Sequence, residues 1–117
     1  MKLVSSNYSN INAPALLLPE RNTSWHLLLD DIIGIEALSN YSKVYCRQRN
    51  APIVVAKTLK WFEERLESTL FTRVHHGYLV NKKHVLEVKG NQIQLGNGAL
   101  IPISRRKKTA VEKALRA

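Results

Sequence analysis

The chain has a single cysteine, Cys46, among its 117 residues. One thiol cannot close an intrachain disulfide, and a cysteine-based metal cluster is excluded. A lone thiol is ordinary in a reducing compartment. Long apolar runs are missing as well. The longest, residues 13–19 and 51–56, fall far short of the about 20 residues that a membrane-spanning helix needs. The N-terminus, Met1-Lys2-Leu3-Val4-Ser5-Ser6-Asn7, turns polar too early for a secretory signal. The expected location is therefore the cytoplasm, with no membrane partner. Aromatic residues make up only 7% and are scattered, which argues against an RNA or single-strand binder built on an aromatic sheet face. There is no acid–base pair, no nucleophile beside a base and no Gly-rich phosphate loop. No enzyme activity, cofactor or small-molecule substrate is expected.

Acidic residues are scarce, and the scarcity is local. Residues 1–70 carry 8 Lys and Arg against 7 Asp and Glu, whereas residues 71–117 carry 10 against 2. Nearly all of the net charge of +9 thus lies in the last 47 residues. Basic charge concentrated on part of a domain implies a polyanionic partner.

What is present suffices for one domain. An apolar fraction of 44% at this length supports a core without staples, since such a domain buries roughly two-thirds of its unfolded surface. Residues 1–14, aperiodic and largely polar, read as a flexible lead-in to a domain over 15–117. Leu16-Leu17-Leu18-Pro19 and Trp25-His26-Leu27-Leu28-Leu29 flank the polar stretch 20–24, a hairpin signal. Asp30-Asp31 is expected to cap a short helical turn into Ile32-Ile33-Gly34. Beyond it, residues 33–38 alternate imperfectly. Ser39-Asn40 reads as a turn, and Val44 and Cys46 then alternate with Lys43, Tyr45 and Arg47 as in a half-buried strand. Ile53-Val54-Val55-Ala56 is β-branched.

The period then changes to that of a helix. Leu59, Phe62, Leu66 and Leu70 share one face, with Thr58 as N-cap, which predicts an amphipathic helix over about 59–69. Short strands follow from Phe71 to Ile103, with turns at Gly90-Asn91 and Gly96-Asn97-Gly98. A last helix is expected over about 105–116. Many short strands, one or two helices and no βαβ order make the class mainly β.

Two stretches carry the chemistry. Arg105-Arg106-Lys107-Lys108 places cations in the first turn of the last helix, where the helix dipole disfavours them by a few tenths to about 1 kcal/mol each. A phosphate backbone would compensate. The other is Arg73-Val74-His75-His76-Gly77-Tyr78-Leu79-Val80-Asn81-Lys82-Lys83. Its adjacent histidines point to opposite faces of a strand, His75 inward and His76 outward. Even with His84 the spacing fits no usual zinc pattern. Arg73 reads as structural, pairing with a carboxylate such as Glu36 or Glu64. Tyr78 reads as half core with its hydroxyl outward, Trp25 and Trp61 as packing residues, and Cys46 as an inert core thiol.

These residues resemble a known family. Phe71-Thr72-Arg73-Val74-His75-His76-Gly77-Tyr78-Leu79-Val80-Asn81 is similar to the F-x-R-x-H-x-S-x-x-V-N core of LytTR-type DNA-binding domains. Ile35-Glu36-Ala37 with Asn40-Tyr41, the Thr58-Leu59 helix start, and Ile101-Pro102-Ile103-Ser104-Arg105-Arg106 resemble three further family motifs, in the right order over about 16–116. The resemblance implies an elongated stack of small antiparallel sheets and a bacterial transcription regulator. It implies loops inserted into successive major grooves of tandem direct repeats, with a homodimer on such sites. Carried over by motif, Ser42 and Lys43 take base-contact positions, with Asn40 and Tyr41 beside them as phosphate contacts. His76 takes the base-contact position of the second loop, and Arg105 reads a base in the third. Arg106, Lys107 and Lys108 are implied phosphate contacts, to which the charge pattern adds Lys82 and Lys83. Two departures stand out: Gly77 replaces the usual Ser, and His76 stands where Arg or Asn is common. No receiver domain is recognisable in the sequence, which leaves a stand-alone regulator or an excised domain as the two expectations.

Overall fold

The computed structural model describes residues 14–116, so the lead-in expected over 1–14 lies, apart from Pro14, outside the described residues. Alternating apolar residues in short runs form ten strands: β1 (Ala15–Glu20), β2 (Thr23–Leu28), β3 (Ile32–Leu38), β4 (Tyr41–Cys46), β5 (Ile53–Val55), β6 (Phe71–His75), β7 (Tyr78–Asn81), β8 (Val85–Lys89), β9 (Gln92–Leu95) and β10 (Leu100–Pro102). Among the described residues there are two α-helices, α1 (Leu59–Arg65) and α2 (Lys108–Arg116). Every strand pairing is antiparallel. The sheets are a β1-β2 hairpin, a central sheet in the order β5-β4-β3-β7-β6, and a three-stranded sheet in the order β10-β9-β8.

These layers stack, and the extents of 41 × 31 × 25 Å are correspondingly unequal. One face of the central sheet (Ile35, Val44, Ile53, Val55, Leu79) packs on Leu16 and Leu18 of β1 and on Leu59 and Phe62 of α1. The other face (Ile33, Val74, Tyr78, Val80) packs on Ile93, Leu95 and Ile101 of the small sheet and Val111 of α2. Phe62 is fully buried, a contribution of about 1.5–3 kcal/mol by transfer alone. Period-2 alternation cannot put neighbouring Ile32 and Ile33 into opposite cores and still leave Ile35 facing with Ile32. A register shift between Ile32 and Gly34 resolves this. Gly34 is needed there for a second reason. A Cβ on it would lie 2.8 Å from Tyr78 Cε1, because the tyrosine ring crosses the strand at that point.

The structure shortens or shifts four expectations. The first helix ends at Arg65 instead of about 69: Leu66 is already extended, and Leu70 and Phe71 N–H groups both donate to the Glu67 carbonyl in a tight turn. Ser68-Thr69 competes for backbone hydrogen bonds there. Thr58 does cap α1, its hydroxyl accepting from Trp61 N–H. The helical turn near Asp30-Asp31 covers Leu29–Asp31, and the strand begins at Ile32, so neither aspartate caps a turn into 32–34. The last helix is split. Arg105–Lys107 is a 3-10 turn whose Ser104 side chain makes no cap, and α-geometry starts at Lys108. Lys107 N–H donates to Ser104 O at 3.0 Å, the tightened bonding that an uncapped start adopts. Tyr78 is 4% exposed, not half outward, and burial pushes its phenol pKa upward.

Candidate nucleic-acid interface

Strand pairing decides which turns meet. The β3-β4 turn at Ser39-Asn40 follows the Leu38–Tyr41 pair, and the β6-β7 turn at His76-Gly77 precedes Tyr78, which pairs with Glu36. Because β3 and β7 are neighbours, both turns emerge at the same end of the central sheet. Ala37 N–H donates to Gly77 O at 2.9 Å, which ties them together. Ser104 N–H donates to Val74 O at 2.8 Å, bringing Arg105 and the start of the last helix to the same end. Three turns far apart in sequence thus form one surface.

Asn40, Tyr41, His76, Arg105, Arg106 and Lys107 are exposed there, and Lys43 and Lys108 are half-buried. Among the described residues no carboxylate pairs with Lys43 or with any cation of Arg105–Lys108; the ion pairs are Arg47–Asp31, Arg65–Glu64, Arg73–Glu63 and Lys83–Asp30.

Arg73 explains how the His76 turn is held. Its guanidinium donates to the carbonyls of His75 and His76 and to the Glu63 carboxylate of α1. The partner is Glu63, not Glu36 or Glu64. Glu36 instead accepts from the Tyr45 hydroxyl at 2.9 Å, and burial together with that carboxylate pushes the Tyr45 phenol up to about 12. His75 Nδ1 accepts from Gly77 N–H at 3.0 Å, so the neutral ring completes the turn. Burial, then the neighbouring His76 and Arg73, lower its pKa. The folded turn therefore resists a proton that the unfolded chain accepts once pH falls below the ordinary imidazole value of about 6.5. Stability is full above that value and declines beneath it. Lowering pH from about 7 to about 5.5 is expected to lower the urea midpoint. His75→Asn, which can still accept from Gly77, should lose less over the same range.

Some expected site residues lie elsewhere. Ser42 is 0% exposed, on the same face as Val44 and Cys46, and its hydroxyl donates to Lys57 O at 2.6 Å. Its hydroxyl is thus turned inward in the structure, unlike the outward position expected for a base contact. Lys82 and Lys83 lie past the far end of β7, about 13 Å of strand away from the His76 turn. Lys83 is paired there with Asp30 at 2.9 Å. Cys46 is buried, and burial pushes its thiol up to about 11. No cluster of three or more His, Cys, Asp or Glu suited to a metal occurs among the described residues. No helix among them is long and apolar enough to cross a membrane.

A stack of small antiparallel sheets that gathers unpaired cations on turns at one end is the arrangement of a module that binds a polyanion. The sequence model of the LytTr DNA-binding domain family matches residues 22–116. The chain belongs to that family, and the domain it carries is a DNA-binding domain. A search of curated proteins returns no match. Among solved structures, the chain is similar to the LytTr DNA-binding domain of a protein described as a methyl-accepting/DNA response regulator from Bacillus cereus. The TM-score is 0.73 and the identity 19%, over 86% of this chain and 95% of that one, which is a likeness of fold.

Proposed function

We propose that this protein binds duplex DNA sequence-specifically and regulates transcription as the output domain of a bacterial response pathway, in the cytoplasm. The supporting observation is the convergence of the 39–43, 76–77 and 104–108 segments on one end of the central sheet, with cations that form no ion pair among the described residues. On this reading the turns enter successive major grooves of tandem direct repeats, and two copies occupy a pair of repeats. Arg105 presents a planar fork to guanine O6 and N7. His76 and Lys43 address base acceptors on either side. Arg106, Lys107, Lys108, Asn40 and Tyr41 hold phosphates and set register without reading sequence. Ser42 supports the first loop from inside.

Selection from a degenerate duplex pool tests this. Convergence on two similar motifs about one helical turn apart is the expected result. Arg105→Ala should then weaken binding to the selected site by about 1–3 kcal/mol and relax preference at one base position. Tight but unselective binding would remove the sequence-reading roles, and absence of duplex binding would overturn the function.

A further inference from the structure

A second basic feature lies beside these turns and belongs to none of them. A cleft of about 690 Å³ runs between the β1-β2 turn and the end of β5. Its lining includes Arg21, Asn22, Tyr41 and Lys57. Tyr41 directly follows the Ser39-Asn40 turn, so the cleft opens at the same end of the molecule. The Ser42 hydroxyl, withdrawn from the surface, anchors the Lys57 carbonyl to the start of β4. The Lys57 ammonium lies 5.2 Å from the centre of the Trp61 ring, and the Arg65 guanidinium lies 4.1 Å from it. Arg65 pairs with Glu64, so the cation that this corner contributes is Lys57. The one acidic residue lining the cleft, Glu20, is occupied: its carboxylate accepts from Trp25 Nε1 at 2.7 Å.

Arg21 adds an independent sign. It occupies the left-handed backbone region, φ 43°, at the tip of the β1-β2 turn. Glycine or asparagine adopts that region readily, and arginine pays a local cost there. Its side chain is exposed and pairs with no carboxylate among the described residues. The two-residue turn requires a positive φ, as at Ser39 (φ 57°) in the β3-β4 turn, and here the residue that supplies it also places an exposed cation beside the cleft.

We propose that Arg21 and Lys57 grip the sugar–phosphate backbone of duplex DNA along this cleft, outside the span covered by the three turns. The inference rests on the DNA-binding reading above and extends its footprint. Ser42 then contributes only by fixing the Lys57 backbone beside the cleft.

The test uses the full chain on a selected duplex with at least one further helical turn of DNA on each side. Affinity is measured against salt for Arg21→Gly, Lys57→Gln and the double variant, with Arg105→Ala in parallel. Each lost phosphate contact should flatten the log–log salt slope by about 0.9. The double variant should flatten it by about 1.8 and lose hydroxyl-radical protection at the edge of the footprint. Base preference should be unchanged, whereas Arg105→Ala changes it. Arg21→Gly should keep or raise the urea midpoint, since glycine relieves the left-handed φ, while still weakening binding. That opposite pairing separates a binding role from a structural one. Wild-type binding with an unaltered slope and footprint in the double variant overturns this inference and leaves the DNA-binding reading standing. A change in base preference in either variant also overturns it. Failure of the wild type to bind duplex overturns both.

Discussion

Raising monovalent salt from about 50 to about 200 mM is expected to weaken duplex binding by about 40- to 500-fold, corresponding to about 3–5 neutralised phosphates. The lower figure follows from Arg106, Lys107 and Lys108, and Arg21 and Lys57 raise it to the upper one. None of these side chains has a carboxylate partner among the described residues, so no internal ion pair must break before a phosphate is engaged. Their charge is therefore available for displacing counterions from the duplex. Titration by fluorescence anisotropy at four or five salt concentrations gives the slope directly. A slope between zero and about −2 would mean that most of these cations never meet DNA, and the interface would have to be sought on another face.

Replacing Asn81 with leucine is expected to destabilise the fold by about 3 kcal/mol while keeping the number of side-chain heavy atoms. Asn81 is 0% exposed. Its Nδ2 donates to Leu29 O at 3.1 Å and to Ile32 O at 2.9 Å, and its Oδ1 accepts from Lys83 N–H at 2.9 Å. One amide thus closes both ends of the 3-10 turn that leads into β3 and starts the turn after β7. Leucine removes the acceptor of the Lys83 N–H and the side-chain donor to each carbonyl, although Leu29 O keeps the Ile32 N–H; a group left without a partner costs about 1–3 kcal/mol where water cannot enter. Urea denaturation should show a lower midpoint at an unchanged m-value. A loss below about 0.5 kcal/mol would mean that water reaches these groups after all.

The strands and the core were largely legible because each strand is short and its alternation is bounded by clear turn residues. Leu59 and Phe62 marked the buried side of α1 for the same reason, and Thr58 marked its start. The helix end was harder. Leu66 and Leu70 continue the helical spacing, yet Leu66 leaves the helix and both residues pack from an extended segment and a turn. Periodicity records which residues face the core and not the backbone that delivers them.

The site shows the same limit from the other side. Motif position put Ser42 on DNA, while the alternation of Val44 and Cys46 with Lys43 and Tyr45 already placed residue 42 on the inward face. The local alternation therefore located the side chain, which the motif position alone did not. Arg73 was recognisable as structural from its place between strand residues. Its true partner was not, because Glu63 reaches it only through the packing of α1 on the central sheet. Lys82 and Lys83 looked adjacent to His76 in sequence, but a strand separates them, and β7 carries them to the opposite end. Arg21 and Lys57 left no signal in composition, since the first 70 residues are nearly neutral. Only the folding of β1-β2 against β5 brings them beside Tyr41.

The outer strands of the central sheet have a consequence for how copies meet. On one side the sheet ends in β5, a strand of three residues, Ile53–Val55. So short a ladder is a poor template for another chain, which protects the molecule from edge-to-edge aggregation. It also denies two copies an easy way to recognise each other through backbone pairing at that edge. On the proposed reading of two copies on paired repeats, molecules that do not pair at this edge would owe their proximity to the spacing of sites along one duplex. Their cooperativity would behave as an effective concentration set by the DNA, rising and falling with helical phase.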